Sequence, residues 1–495
     1  MNAKSGYQTI FKGTFLFGGV QFFQILVSLI RGKTTAQFIG AEGMGLSGLL
    51  TSSLAMVITI AGLGCTTSCV KYIASLNKED DSYLNYVRIS QSIFKFIALG
   101  GMLLTCLLAP LLSYISFSSN EYILSYLLLS FYVYFSLYSG GLSSIFQGLR
   151  ELKCIAKGNV IVLLGGMVCS VVLYFLFGKR AIIPVILISP LISVIYFHFS
   201  LKKIFHRARV HQFSYEQRKN IFKEFVSLGL PLVVAALIGN LSTYTIDAFI
   251  SSVGSLSDIG LYNAGMSITN RYIGLLFSAM ATDYFPRLSA IAHNVEEVNE
   301  TVNQQGEIIV LFAFPLLSIM ILSAPMLIRL LLSSEFIEIT SFVRIIGFGM
   351  FFQVISFCFG YVSFAKGDKK VYLFFEGIIT NILKVILNCL GYYFWGLRGL
   401  ACSFVLMYVI YYVVIFLVCK IRYRYIMSRS YFILTVISGI GVSIVFLLSF
   451  SSSLLSIIIS ILLTGVICVF SIIQLEKRIG LKEILIRRFK RQCKK

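Results

Sequence analysis

Stretches of about 20 mostly apolar residues recur along the whole of this 495-residue chain. A helix of that length spans the roughly 30 Å hydrocarbon core of a bilayer. Only 13% of the residues are charged and 57% are hydrophobic, whereas soluble domains have about 25% and 45–50%. The sequence therefore predicts an all-α polytopic membrane protein and excludes an ordinary soluble enzyme.

Fourteen spans are predicted, each bounded by the ends of its apolar run. The connections between them are short, and the longest, 201–226 and 286–305, leave no room for a soluble catalytic domain. Any chemistry must therefore take place within the membrane. The spans cover residues 14–30, 46–66, 91–114, 122–146, 158–177, 181–200, 227–250, 259–285, 306–330, 341–364, 372–394, 399–419, 431–449 and 453–473.

Positive charge is distributed unevenly over the connections. Of the 42 Lys and Arg residues, 32 fall on segments that share one side with both chain ends, and seven fall on the opposite side. Cytoplasmic segments of membrane proteins carry such an excess of Lys and Arg. We therefore predict a multi-pass membrane protein with both termini cytoplasmic. The net charge of +21 follows from this topology, so nucleic acid is not an expected partner.

Two pairs of similar turns predict an internal duplication. Residues 36–46 (AQFIGAEGMGL) are similar to 252–265 (SVGSLSDIGLYNAG), and residues 146–153 (FQGLRELK) are similar to 364–370 (FAKGDKK) at nearly the same offset. An offset of six spans keeps the orientation, so the halves are parallel repeats. The predicted domains are an N-lobe over 1–200, a basic cytoplasmic linker over 201–226, a C-lobe over 227–421, two extra helices over 422–475 and a basic tail over 476–495.

Basic residues within or beside the spans are candidates for binding an anionic substrate, because a charge in the bilayer is costly unless it faces water, a partner or a ligand. Arg271 and Lys384 lie near the middle of spans eight and eleven, where they can bind a diphosphate. A structural ion pair or a hydrated cavity wall is the alternative for each. Arg31 ends span one. Arg88 and Lys95 lie two helical turns apart near the cytoplasmic end of span three, where they attract an anionic headgroup or anchor the helix.

Two acidic residues are candidates for ion coupling or gating. Asp247 lies toward the outer end of span seven, and Glu376 lies in span eleven. A carboxyl group removed from water can exchange protons near neutral pH, which H⁺ coupling requires, and Na⁺ coupling is equally open. Glu376 precedes Lys384 by eight residues on roughly the same helix face, so an internal ion network is the alternative.

No metal site, cofactor or catalytic residue is expected beyond a coupling ion. Cys65 and Cys69 share a helix face, but no His or second Cys pair accompanies them. The sequence also lacks the nucleotide-binding pattern GxxxxGK[ST]. Glu307, near the cytoplasmic end of span nine, is expected to pair with Arg287 or Lys366.

Six short motifs occur in a fixed order along the chain. They are residues 38–46 (FIGAEGMGL), 62–64 (GLG), 70–74 (VKYIA), 285–289 (FPRLS), 331–336 (LLSSEF) and 360–366 (GYVSFAK). Their order and spacing resemble polysaccharide flippases of the multidrug/oligosaccharidyl-lipid/polysaccharide (MOP) exporter superfamily. Within it the chain looks most like O-antigen translocases and the lipid III flippase, and the likeness covers about residues 10–420.

The resemblance implies a transporter rather than an enzyme, located in the cell inner (cytoplasmic) membrane. Its two six-helix lobes would flip an undecaprenyl-diphosphate-linked oligosaccharide by alternating access. O-antigen, a part of lipopolysaccharide, or a similar surface polysaccharide unit is the implied cargo, with membrane lipids, a polysaccharide polymerase and a chain-length regulator as partners. Lipid II flippases of the superfamily carry a cavity arginine nine residues before the loop glycine, as Arg31 stands before Gly40. Where they have a second-helix arginine, this chain has Thr59 or a neighbour. Their eighth-helix arginine aligns near Ser267, one turn from Arg271.

Two other functions stay open at this stage. A multidrug/cation antiporter of the same superfamily would prefer an acidic pocket, whereas Arg271 and Lys384 favour an anionic substrate. An integral-membrane glycan polymerase or ligase would carry a sizeable external loop with catalytic Arg or His. All four histidines of this chain fall on the predicted inner side, which disfavours the polymerase: His198, His206, His211 and His293.

Overall fold

The computed structural model describes residues 3–75, 83–205, 215–451 and 453–479. Helices account for nearly all of these ranges, which contain no β-strand, and the predicted all-α class is confirmed. The chain divides into two compact units, of which unit 1 comprises 1–260 with 331–333 and unit 2 the remainder. The boundaries predicted for the lobes stay predictions, and residues 206–214 of the linker and 480–495 of the tail lie outside the described residues.

Unit 1 is a bundle in which α3 packs on α4, α4 and α5 pack on α6, and α7 packs on α1, α2 and α3. Its core contains Phe94, Tyr126 and Phe146, which are fully buried. A 3₁₀ turn, Gly178–Ala181, joins α5 to α6. The helices are α1 (Ala3–Gly62), α2 (Cys65–Ser75), α3 (Tyr83–Phe117), α4 (Ile123–Gly148), α5 (Leu152–Phe177), α6 (Ile182–Phe205) and α7 (Tyr215–Val253), and the first residues of α8 also belong here.

Unit 2 is built around α10, which packs on α12 and α13. Its core contains Phe342, Phe359 and Tyr431. A 3₁₀ turn, Ser334–Ile339, precedes α10, and a π-helix, Tyr372–Ile379, precedes α12. The helices are α8 (Leu256–Ala290), α9 (Val295–Leu331), α10 (Thr340–Ala365), α11 (Lys369–Val371), α12 (Thr380–Tyr423), α13 (Arg429–Ser449) and α14 (Leu454–Ile479).

Nine helical segments of the described residues are long and apolar enough to cross a membrane. Two of them, Leu152–Lys202 and Tyr372–Tyr423, are 51 and 52 residues long and each contain two of the predicted spans. Large apolar side chains remain exposed along the helices, as at Phe96 and Leu107 of α3. Soluble proteins rarely expose such surfaces, so the protein is a multi-pass membrane protein. The count of fourteen spans stays a prediction.

The helix α12 contains a reversal of the chain at Gly396, where φ is +58°. The Ser403 hydroxyl donates to the Leu387 carbonyl at 2.6 Å, whereas sixteen residues of straight helix would separate them by about 24 Å. Backbone atoms of Gly391 and Gly399 also approach so closely that neither position has room for a Cβ atom. These contacts show that predicted spans 372–394 and 399–419 form a tight helical hairpin.

The two turns of the predicted repeat meet through their glycines. A Cβ atom on Gly45 would lie 1.7 Å from the Leu256 carbonyl oxygen, and one on Gly260 would lie 1.8 Å from the Ala41 carbonyl oxygen. Gly45 and Gly260 close the two similar turns, so equivalent positions contact each other reciprocally. Just before this contact α1 is interrupted at Gly40, where φ is +64°.

Polar contacts connect the segments of unit 2 that are predicted to be cytoplasmic. Glu307 accepts from Arg478 Nε at 2.6 Å; the expected pairing with Arg287 or Lys366 is wrong. Arg287 instead donates to Gln305 at 2.9 Å, and Lys366 donates to the Ala292 carbonyl at 2.7 Å. The Arg478 partner could not be foreseen because it lies 171 positions away in the sequence.

The loop between α10 and α11 is attached to the end of α12 by an ion pair. Arg422 Nε donates to Asp368 at 2.6 Å, and the Tyr423 hydroxyl donates to the same carboxylate oxygen at 3.1 Å. The hydrogen bond from Arg422 holds the pKa of Asp368 below its usual range. Asp368 therefore stays ionised at neutral pH, and both contacts persist there.

We expect Gly45→Ala to lower the free energy of unfolding by about 1–3 kcal/mol, because its methyl group would force two backbones apart. Thermal unfolding in detergent micelles measures this. The matched control is Gly239→Ala, because no atom lies within 4 Å of a Cβ at that helical position, so stability should be unchanged or rise by up to about 1 kcal/mol. Equal effects of the two substitutions would contradict the importance of the contact.

Candidate functional site

The two mid-span cations lie in unit 2. Arg271 is on α8 and Lys384 is on α12, and both side chains are half-buried. Lys384 lies on the first pass of the α12 hairpin, where its carbonyl accepts from the Asn388 side chain at 2.7 Å. Lys384 thus lies within a segment that is long and apolar enough to cross a membrane, whereas the mid-span position of Arg271 stays a prediction.

The three other basic candidates lie in unit 1. Arg31 is half-buried on α1, in the neighbourhood of Tyr132 on α4 and Tyr174 on α5. Arg88 and Lys95 are two turns apart on α3, but their environments differ, since Arg88 is half-buried and Lys95 is exposed. The five cations are thus divided between the two units rather than gathered on one helix pair.

Glu376 lies on the π-helix of unit 2, a type of segment that is often found at functional sites. Its Oε1 atom accepts a hydrogen bond from the Tyr411 hydroxyl on the return pass of α12. Gly360 of α10 lies against this pair, and a Cβ atom there would be 3.0 Å from the tyrosine oxygen and 3.1 Å from the carboxylate oxygen. The carboxyl group therefore lies where three segments meet, and the neutral hydroxyl of Tyr411 is one of its hydrogen-bond partners.

Asp247 is only 1% exposed and lies on α7, one turn after Tyr244. The Tyr244 hydroxyl begins a chain of buried hydroxyls that sequence reasoning missed. It shares a hydrogen bond with Ser116 of α3 at 2.9 Å, Ser116 shares one with Tyr126 of α4 at 3.0 Å, and Tyr126 shares one with Ser53 of α1 at 3.0 Å. Four helices thus meet at one line of buried hydroxyls.

Nothing in the sequence marks these hydroxyls as a group. Ser53 and Ser116 lie among other Ser and Thr residues, and Tyr126 is one of 27 tyrosines, so none of the three stands out in the sequence. Only the three-dimensional packing of α1, α3, α4 and α7 brings them together. No group of three or more His, Cys, Asp or Glu side chains that could hold a metal ion occurs in the described ranges.

The family of the chain is decided by residues 10–292, which match the model described as polysaccharide biosynthesis protein. This match covers more than half of the chain. The chain belongs to the family of polysaccharide biosynthesis proteins. The predicted resemblance is thereby confirmed at the level of the family. No curated protein matches the sequence.

Solved structures with the same fold are transporters of the MOP superfamily. The lipid II flippase MurJ in an inward closed conformation has a TM-score of 0.70 at 17% identity, over 94% of this chain and 99% of that chain. An inward-facing multidrug resistance MATE family transporter of the MOP superfamily has a TM-score of 0.67 at 16% identity, over 81% of this chain and 94% of that chain. The Vibrio cholerae MATE transporter VcmN has a TM-score of 0.56 at 15% identity, over 87% of this chain and 99% of that chain. This chain therefore has the predicted fold of MOP transporters.

We expect Tyr126→Phe to destabilise unit 1 by about 1–3 kcal/mol, because it removes the hydroxyl that bridges two buried serines. Tyr134→Phe on the same helix is the matched control, since no hydrogen bond of its hydroxyl is found within the described part of the chain. Thermal unfolding in detergent gives both values. If Tyr134→Phe lowers the free energy of unfolding as much as Tyr126→Phe does, the hydrogen bonds of the Tyr126 hydroxyl do not contribute specifically to stability.

Proposed function

We propose that this protein flips an undecaprenyl-diphosphate-linked oligosaccharide, O-antigen or a similar surface polysaccharide repeat unit, across the inner membrane by alternating access. One observation carries the proposal: a chain of the polysaccharide biosynthesis family has the fold of MOP transporters, among them a lipid II flippase. Both termini are proposed to be cytoplasmic. The substrate would then be loaded from the cytoplasmic leaflet, where lipid-linked glycans are assembled, and released on the opposite side.

The cations support a substrate with a diphosphate. A guanidinium group can bind two phosphate oxygens at once, and an ammonium group attracts them as a point charge. We assign the mid-span contacts to Arg271 and Lys384, which are half-buried. Arg88 and Lys95, near the cytoplasmic end of span three, are assigned to the path along which the anionic headgroup approaches. Arg31, at the opposite end of span one, is assigned to a further contact with the substrate. Hydration of this path would lower the cost of carrying charge through the bilayer.

The lobes proposed for the alternating movement are residues 1–200 and 227–421, joined by the basic linker 201–226. Residues 422–475, with α13 and α14, form an addition to the second lobe, and the tail 476–495 lies on the cytoplasmic side. Such a transporter passes its product on, so a polysaccharide polymerase and a chain-length regulator are the proposed partners. No cofactor is proposed other than a coupling ion.

A multidrug antiporter is the second candidate, because MATE transporters share the fold. Their similarity to this chain is below 25% identity, so it carries the fold and leaves the substrate undetermined. Mid-membrane cations would repel a cationic drug, and the family match concerns polysaccharide biosynthesis. We therefore rank the glycan lipid first.

We expect Arg271→Ala to reduce glycan-lipid translocation roughly tenfold or more, since charge-assisted hydrogen bonds are worth about 1.5–3 kcal/mol. The assay uses proteoliposomes with purified protein and measures how much glycan becomes accessible to an external glycosidase. Arg329→Ala, at an exposed position near the end of α9, is the control and should translocate as wild type does.

Two outcomes of this assay would count against the proposal. If wild type moves no glycan lipid, the flippase function is wrong, and drug-stimulated ion exchange should be measured in the same vesicles. If wild type is active and Arg271→Ala is equally active, the flippase function stands but the assignment of Arg271 to the diphosphate is wrong.

We propose Glu376 and Asp247 as the groups that couple or gate transport with H⁺ or Na⁺. Glu376→Gln keeps the shape of the side chain and removes its charge, so it should abolish stimulation by an imposed H⁺ or Na⁺ gradient while gradient-free exchange continues. The control is Glu338→Gln, at an exposed position of unit 2. This variant should keep full stimulation by the gradient. Retained stimulation in Glu376→Gln would contradict its role.

A further inference from the structure

Unit 1 contains a cavity of about 360 Å³ that has no role in the function proposed above. Ligand pockets generally have volumes of about 300–1,000 Å³, so its size is that of a small-ligand site. Five helices contribute to its wall. The lining residues are Ile58, Thr59, Gly62, Gly64, Thr66, Thr67, Phe94, Ile97, Ser136, Leu137, Gly140, Val233 and Ala236.

The cavity wall is uncharged but carries hydroxyl groups. None of its lining residues is acidic or basic. Thr59 is already occupied, since its Oγ1 atom donates to the Ala55 carbonyl at 2.8 Å and accepts from the Asn240 amide at 2.7 Å. The Thr66 and Thr67 hydroxyls are exposed and have no hydrogen-bond partner among the described residues. They are therefore available to a ligand.

A break in the helical backbone forms one edge of the cavity. Between α1 and α2 the chain passes through Leu63 and Gly64, whose φ angles are +48° and +66°. A Cβ atom on Gly64 would lie 2.4 Å from the Gly229 carbonyl oxygen of α7, so the break is packed directly on another backbone. In membrane proteins irregular backbone is tolerated where it is buried or lines a cavity, and broken helices often border substrate sites.

We propose that this cavity is a subsite for an uncharged sugar ring of the lipid-linked glycan. The inference rests on the proposed flippase function and names the part of the substrate that unit 1 recognises. Sugar hydroxyls both donate and accept, as Thr66, Thr67 and Ser136 do. A diphosphate in the cavity would meet no cation, and an acyl chain would leave these hydroxyls without partners. A neutral polyol satisfies the wall without either penalty.

The test fills the cavity without disturbing the fold. Gly140 lies on the wall, and a Cβ atom there would meet only Thr66 Cγ2 at 3.9 Å, so Gly140→Leu directs a side chain into the free volume. Gly100→Leu is the matched control, because Gly100 is an exposed helical glycine of unit 1 with no atom within 4 Å of its Cβ position. Unfolding temperatures of both variants should equal that of wild type.

Binding is measured by thermophoresis with two probes in detergent. One is undecaprenyl diphosphate, and the other is the same lipid bearing a neutral disaccharide of N-acetylglucosamine and galactose. We expect Gly140→Leu to weaken binding of the glycosylated lipid roughly tenfold and to leave binding of undecaprenyl diphosphate unchanged. Gly100→Leu should bind both probes as wild type does.

A double variant tests the hydroxyls themselves. Thr66→Val with Thr67→Val preserves shape and should weaken binding of the glycosylated lipid by about three- to tenfold, the effect of losing one or two hydrogen bonds. Thr66→Ser with Thr67→Ser restores the hydroxyls and should restore the affinity. Loss of affinity in both double variants would overturn the role of the hydroxyls.

The outcomes separate this inference from the proposed function. If wild type binds neither lipid, the flippase proposal is wrong and the sugar subsite is wrong with it. If wild type binds both and Gly140→Leu also binds both equally well, the flippase proposal stands and the subsite is wrong. If Gly140→Leu weakens both probes alike, the cavity holds the shared diphosphate or prenyl chain, which also overturns the sugar subsite.

Discussion

The hydrocarbon core of a bilayer offers no hydrogen-bond partner to the backbone, so each spanning segment must satisfy its amide groups within its own helix. That constraint leaves few places where the chain can leave helical geometry. In this protein Gly40, Gly64 and Gly396 have positive φ within or beside long apolar helices. At Gly64 and near Gly396 other backbones approach so closely that a side chain would not fit. The fold is thus set by a few glycines placed among otherwise uniform helices.

Polar side chains inside the bundle fall into two kinds with different physical roles. Neutral hydroxyls, such as Tyr126 with Ser53 and Ser116, satisfy one another within unit 1 and align its helices. Charged groups such as Arg271 and Lys384 are costly in the bilayer, and both are half-buried. The neutral contacts contribute to the stability of unit 1, whereas the charges are the groups that we propose for transport.

The sequence predicts features that depend on neighbouring residues better than features that depend on contacts between distant residues. Apolar runs are local, so the all-α membrane class follows from them directly, and the turns around Gly45 and Gly260 indicate the repeat. Contacts between distant helices have no local signal. The partner of Glu307 proved to be Arg478, and the cavity wall around Thr66 is assembled from five helices whose lining residues lie far apart in the sequence. The candidate cations could be found because charge is rare in the spans, but their surroundings could not.

The tight hairpin at Gly396 has a consequence for how the protein enters the membrane during synthesis. Its first pass carries Lys384, and a lysine at the centre of a helix costs about 2.5–3.5 kcal/mol to insert on its own. Its return pass is free of charged residues over 401–419. Because the connection between the two passes is short, we expect them to enter the bilayer as a pair. The apolar return helix would then offset the cost of inserting the helix that carries the lysine.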